Sequence, residues 1–129
     1  QRAVKRMQHK ILIADDATFM RMMLKDILNH AGFINLIEAK NGREAINLFK
    51  VEKPELILLD VTMPDMDGLR ALEEIKEVNP DVKIIMCSSM GQEEIVSECF
   101  EKGADDFIMK PFKPERVVQA VSQFIDLNS

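Results

Sequence analysis

Four short, uninterrupted apolar runs recur along the chain: Ile11-Leu12-Ile13-Ala14, Leu56-Ile57-Leu58-Leu59, Ile84-Ile85-Met86-Cys87 and Phe107-Ile108-Met109. A weaker one, Leu36-Ile37, follows Gly32. Runs this short and continuous suit strands buried on both faces, because a strand with one wet face would alternate. The segments between them have helical spacing. Met20, Met23, Leu24, Ile27, Leu28 and Ala31 share one helical face, with Gly32 as a stop. Asn41 and Glu44 resemble a capping box ahead of Ala45, Ile46 and Phe49. Asp67 can cap a helix that carries Leu69, Leu72, Ile75 and Val78 inward. Ile95, Val96, Cys99 and Phe100 line the next, closed by Gly103. Pro114 opens the last, with Val117, Val118, Val121, Phe124 and Ile125 inward and an end expected at Leu127.

Strand then helix, five times over, predicts an α/β fold: a doubly wound parallel sheet with helices on both faces. The expected architecture is a (βα)5 flavodoxin-like sandwich. Its strand order, 2-1-3-4-5, is taken from known sheets of that kind, since alternation alone does not fix it. A length of 129 residues fits one domain, and no low-complexity linker divides the chain. The domain is expected over 10–129, with 1–9 as an N-terminal extension. Met7 is a candidate native start, which would leave 1–6 outside it.

Composition narrows the function. Seventeen basic and 22 acidic residues give a net charge of −5. Without Trp or Tyr, and with its basic residues scattered, the chain lacks the basic patch and stacking aromatics of nucleic-acid binding. No apolar run approaches the ~20 residues of a membrane span. The basic, polar start from Gln1 to Lys10 lacks the apolar core of a secretory signal. A cytoplasmic location without membrane contact is expected. Cys87 and Cys99 lack the spacing of a zinc or redox motif and read as buried thiols. The nine methionines could form an adaptable binding face, but Met20 and Met23 fit the core stripe, leaving Met22 as the exposed candidate.

The chemistry gathers at strand ends. The first run ends in Asp15-Asp16 and the third strand in Asp60; the fourth runs into Ser88-Ser89 and the fifth into Lys110-Pro111. In open α/β sheets, ligands bind beyond the carboxyl ends of the strands, where the order reverses. With strands one and three adjacent, Asp15, Asp16 and Asp60 converge. Two unit charges ~4 Å apart repel by on the order of 4 kcal/mol at an effective dielectric of about 20. A hard, oxygen-seeking cation such as Mg²⁺ offsets that, and Lys110 adds a second positive charge. Such a pocket suits a transferring phosphoryl group, and a carboxylate is a competent nucleophile for an aspartyl phosphate. Taken singly, each residue has a plainer reading. Asp15-Asp16 could cap the first helix, Asp60 could be a loop acid, Ser88 a turn residue and Lys110 solvated surface. Their conjunction at the ends of the βα units carries the chemistry.

Three segments match a known pattern: Ile11-Leu12-Ile13-Ala14-Asp15-Asp16, Leu58 through Asp60-Val61-Thr62-Met63-Pro64 to Gly68, and Phe107-Ile108-Met109-Lys110-Pro111-Phe112. Together they resemble the signature of the response-regulator receiver family, from about Lys10 to Phe124. Within that family, Ala17 to Leu24 and Cys87 to Gln92 are similar to the stand-alone CheY-type chemotaxis regulators. The resemblance implies a phosphoacceptor, Asp60, served by a chemotaxis histidine kinase. It implies Mg²⁺, with Mn²⁺ as a substitute, bound directly by Asp16, through water by Asp15, by the Thr62 backbone carbonyl, and with Asp60 also in the metal site. Ser88 and Lys110 would contact the phosphoryl group, and the Lys110-Pro111 bond would be cis. Phe107 stands where the family often has Tyr and would be the switch ring. Thr62 and Met90 would tune phosphoryl lifetime. The implied protein is a monomer and not an enzyme, although autophosphatase activity is compatible with the site. Its output face would be Gln92 to Lys102, Asp106 to Met109 and Pro114 to Leu127. Its partners would be a flagellar or archaellar motor-switch component and a phosphatase.

Other functions fit less well. A small aspartyl phosphatase would place Asp-x-Asp on the first strand, whereas Asp15 and Asp16 are adjacent. A flavodoxin-like electron carrier would need a Ser/Thr/Gly-rich loop there, and Asp16-Ala17-Thr18-Phe19 does not supply one. A receiver cut from a larger regulator, with a DNA-binding or methylesterase output, stays open.

Overall fold

The computed structural model describes residues 9–125. Strands and helices alternate strictly: β1 (Lys10–Ala14), α1 (Thr18–His30), β2 (Asn35–Ala39), α2 (Gly42–Glu52), β3 (Leu56–Asp60), α3 (Gly68–Val78), β4 (Lys83–Ser88), α4 (Glu93–Glu101), β5 (Asp106–Met109) and α5 (Pro114–Ser122). All neighbouring strands are parallel, in the order β2-β1-β3-β4-β5. The chain leaves β1 towards β2, then crosses back to β3 on the other side. Right-handed crossovers therefore put α1 on one face and α2, α3 and α4 on the other, and α5 returns to the α1 side.

The apolar runs fill both layers. Side chains alternate along a strand, so Leu12 and Ala14 join Ile57, Leu59, Ile84 and Met86 under α2, α3 and α4. Ile11 and Ile13 join Leu56, Leu58, Ile85 and Ile108 under α1 and α5. Strand β2 is a sheet edge and its first four residues are only half-buried, which explains its weak apolar signal.

The helix punctuation holds. Asn41 accepts the Glu44 N–H at 2.8 Å, and Glu44 reaches back to the Lys40 N–H at 3.0 Å. Asp67 accepts the Arg70 N–H at 2.9 Å. Gly32 and Gly103 follow their helices at φ 100° and 107°, a conformation that penalises a Cβ.

Two expected inward residues point out: Val78 is 60% and Phe100 46% exposed. Leu69, Leu72, Ile75 and Val78 are spaced by three, and each such step falls about 60° short of a full turn. The third step carries Val78 to the opposite side. On α4 only Cys99 is fully buried, and Phe100 lies about 100° round from it. In α5, Val118 and Phe124 are half-buried while Ala120 is buried. Helix α5 ends at Ser122 instead of Leu127, which lies outside the described residues, as do Met7 and the segment 1–6. Met22 is exposed and Met20 and Met23 pack against the core, as their spacing indicates.

The burial difference along α3 gives a direct check. Leu72→Ala removes a fully buried side chain and should destabilise by about 2–5 kcal/mol, whereas Val78→Ala should stay within about 0.5 kcal/mol. Urea unfolding of both variants measures this; comparable losses would return Val78 to the core.

Candidate functional site

The site forms where β1, β3, β4 and β5 end. Strand β1 pairs with β3 through Ala14 opposite Leu59, so one further step sets Asp15 level with Asp60. Both are buried, at 1% and 5% exposure, while Asp16 is exposed. Carboxylate oxygens of Asp15, Asp16 and Asp60 lie within 4.8 Å of one another.

Every polar group of Asp15 is engaged. Its N–H donates to the Ala39 carbonyl at 3.0 Å, and its carboxylate accepts the Ala17 N–H at 2.9 Å and the Lys110 ammonium at 2.7 Å. Its carbonyl accepts from Arg21 Nη1 at 2.7 Å. Asp60 is held from below. The Gly68 N–H donates to the Val61 carbonyl at 2.8 Å. A Cβ on Gly68 would lie 1.9 Å from the Asp60 carbonyl oxygen, so only glycine lets α3 start this close. The Thr62 N–H donates to the Asp60 carboxylate, and Lys110 Nζ lies 3.3 Å from Asp60 Oδ1.

The remaining candidates flank this centre. Ser88 is buried, and its Oγ accepts the Met90 N–H at 2.9 Å. The Lys110 N–H donates to the Ser88 carbonyl at 2.9 Å, and the Lys110-Pro111 bond is cis. Phe107 is half-buried against the core under α2, α3 and α4, and Met90 is 38% exposed. The structure therefore gathers Asp15, Asp16, Asp60 and Lys110 at one point. Ser88 stands in the adjoining strand end, and Phe107 lies apart from the polar centre. Sequence reasoning missed Arg21, which reads as an ordinary charge on an amphipathic helix.

Electrostatics follow from this crowding. Burial, reinforced by the charge of Asp15, pushes Asp60 up to about 6, against the charge and hydrogen bond of Lys110 and the Thr62 N–H. Burial opposes the charge on Lys110, but its hydrogen bond to Asp15 and the two carboxylates hold its pKa above the ordinary value. Burial, with Asp60 next in importance, raises the thiol of Cys87 far out of the nucleophilic range. The donor set is all oxygen and rich in carboxylate, with one exposed edge at Asp16. That chemistry fits a hard divalent cation such as Mg²⁺ and not a soft one.

Residues 11–122 match the family described as the response regulator receiver domain. The chain belongs to the response regulator receiver family. This receiver is 51% identical over 117 residues to the chemotaxis protein CheY of Thermotoga maritima, covering 91% of this chain and 98% of that protein. It is 49% identical over 120 residues to the CheY of Bacillus subtilis, covering 93% and 100%. A solved CheX–CheY–BeF3–Mg complex from Borrelia burgdorferi superposes with a TM-score of 0.87 at 35% identity, over 91% of this chain and 89% of that one. The receiver is thus of the CheY type. Among its described residues, no helix is long and apolar enough to cross a membrane.

The raised Asp60 carboxyl has a consequence for stability. Its folded value lies above the ordinary 3.8, so the ionised group destabilises the fold above pH 6, and that cost disappears as pH falls through 6 towards 4. Without divalent metal, Asp60→Asn should therefore stabilise the protein by about 2–3 kcal/mol at about pH 7.5 and by little at about pH 4.5. Urea titrations at both pH values decide it; a gain independent of pH would exclude charge as the cause.

Proposed function

We propose that Asp60 is the phosphoacceptor of a chemotaxis signalling switch, phosphorylated by a histidine kinase or a small phosphodonor. One observation carries this reading: a buried carboxylate beside two further carboxylates and 3.3 Å from a lysine ammonium, at the point where the strand order reverses. An oxygen of the Asp60 carboxylate attacks the donor phosphorus. The bond from phosphorus to the donor breaks, and an acyl phosphate remains on Asp60. Lys110 meets the charge on the phosphoryl oxygens, and the Ser88 hydroxyl donates to one of them. Asp16, Asp60 and the Thr62 carbonyl would hold Mg²⁺ directly, with Asp15 acting through water, and Mn²⁺ would substitute. When bound, the ion supplies countercharge for the crowded carboxylates and the phosphoryl oxygens. Thr62 and Met90 flank the route by which water reaches the acyl phosphate and so set its lifetime.

The CheY relatives support a chemotaxis output, in which phosphorylation switches binding to a flagellar or archaellar motor component. The Borrelia relative was solved with CheX, which supports a protein partner besides the kinase, and a phosphatase is the kind we expect. The proposed domain is 10–129, acting as a cytoplasmic monomer.

Incubation with acetyl phosphate and Mg²⁺ should add one phosphoryl group by intact mass, and Asp60→Asn should abolish it. An undiminished adduct in the Asn variant would move the acceptor elsewhere.

The switch requires that Ser88 report the phosphoryl group to Phe107. Ser88→Ala should still be phosphorylated, yet the shift of the Phe107 ring signals on adding beryllofluoride should largely vanish. Equal shifts in wild type and variant would separate Phe107 from Ser88.

A further inference from the structure

We infer that Arg21 is a positioning residue of the cation site, acting through the backbone of Asp15 and anchored by Glu38 on the edge strand. The inference rests on the proposed reading of the acidic cluster as a divalent-cation site.

Arg21 is the fourth residue of α1, and its side chain runs back towards the start of that helix. It is largely buried, at 13% side-chain exposure, which is costly for a guanidinium unless its donors are engaged. Nη1 donates to the Asp15 carbonyl at 2.7 Å, Nε to Glu38 Oε1 at 2.9 Å, and Nη2 to Thr18 Oγ1 at 3.3 Å. The second oxygen of Glu38 takes Lys25 at 2.9 Å. Lys25 and Arg21 together hold the Glu38 carboxyl below its ordinary range, despite its partial burial. The guanidinium fork thus spans two elements: the chain leaving β1 and the edge strand β2.

The local geometry explains why such a strut is needed. Helix α1 starts after Ala17, which offers no capping side chain. Asp15 serves instead, with its carboxylate on the Ala17 N–H. The same carboxylate also holds Lys110, so Asp15 is pulled both towards α1 and across the sheet. Arg21 fixes the peptide between Asp15 and Asp16 by its carbonyl. Asp16 is exposed and is placed by that peptide, so the cluster's accessible carboxylate owes its direction to Arg21. The carbonyl, already bonded to a cation, is also removed as a competing oxygen ligand.

Two explanations of Arg21 predict opposite signs. If it acted only as a nearby positive charge, removing it would tighten Mg²⁺ binding by relieving repulsion. As a positioning residue, its loss weakens binding, by roughly tenfold on the scale of partners that orient metal ligands. The test is calorimetric titration of Mg²⁺ into the metal-free protein, with unfolding measured in parallel, for wild type, Arg21→Gln, Arg21→Lys, Lys25→Gln and Asp16→Ala. Arg21→Gln should lose about tenfold, and Lys25→Gln, which breaks the other Glu38 pair, should stay within about twofold. Arg21→Lys keeps the charge but not the fork, so it should fall between, and it carries the test if Arg21→Gln does not fold. Unchanged or tighter binding in the Arg21 variants overturns the inference. So does a loss in Lys25→Gln equal to that in Arg21→Gln, which would reduce both to general destabilisation. If Asp16→Ala binds Mg²⁺ like wild type, the underlying site assignment fails instead.

Discussion

Repulsion between Asp15 and Asp60 is the constraint that organises the C-terminal edge of the sheet. Parallel register sets the two carboxylates level, and burial denies both an escape into water. The protein answers with donors: Lys110 bridges the pair, the Ala17 N–H takes one side of Asp15, and the Thr62 N–H takes Asp60. The compensation is incomplete, because burial and the Asp15 charge still hold the Asp60 carboxyl up at about 6. Positive charge brought to Asp60 therefore gains more than it would at an exposed carboxylate, whose charge water already screens. A buried carboxylate with incomplete countercharge combines strong cation binding with nucleophilic character in a single group.

The rest of the fold tolerates this local cost because little else is compromised. Strands β1, β3, β4 and β5 carry apolar side chains on both faces between their ends, so they form a stiff, close-packed platform. Two backbone constraints lie at the site: glycine is forced at Gly68 by the Asp60 carbonyl, and Asp65 holds a positive φ in the loop between β3 and α3. Met63 and Met66 in that loop are buried against the core, which anchors the segment carrying Thr62.

Physical reasons separate what was legible in the sequence from what was not. Strands β1, β3, β4 and β5 announce themselves because two-sided burial demands unbroken apolar runs, whereas the half-buried edge strand β2 needs only Leu36 and Ile37. Asp15, Asp16, Asp60, Ser88 and Lys110 stood out because each interrupts or follows an apolar run. Val78 and Phe100 were misplaced because apolar character was extended past the point where the helix turns its face to solvent. Strand order came from known sheets of this kind, since five strands of similar character do not encode their neighbours. Arg21 left no trace in the pattern. Its two shortest hydrogen bonds run to a backbone carbonyl, which has no sequence signature, and to Glu38, 17 residues away on another element.

In the proposed switch, the link from the polar centre to the outer face depends on the hydroxyl of Ser88. A hydroxyl has one donor and two acceptor positions. Here an acceptor position is taken by the Met90 N–H, which leaves the donor available for an oxygen at Asp60. Ser88 can therefore turn towards a phosphoryl group while keeping Met90, so that the loop follows the side chain. Next in that loop is Gly91, and the thioether of Met109 fills the space of its missing Cβ, with Sδ 2.5 Å from that position. Displacement of the loop in that switch would press on Met109 at the end of β5, between Ile108 in the core and Lys110 in the site. The Ser88 carbonyl already holds the Lys110 N–H, so the ends of β4 and β5 cannot shift independently. In the proposed switch, a phosphoryl group on Asp60 would act on β5 twice, through the Lys110 ammonium and through the loop that rests on Met109.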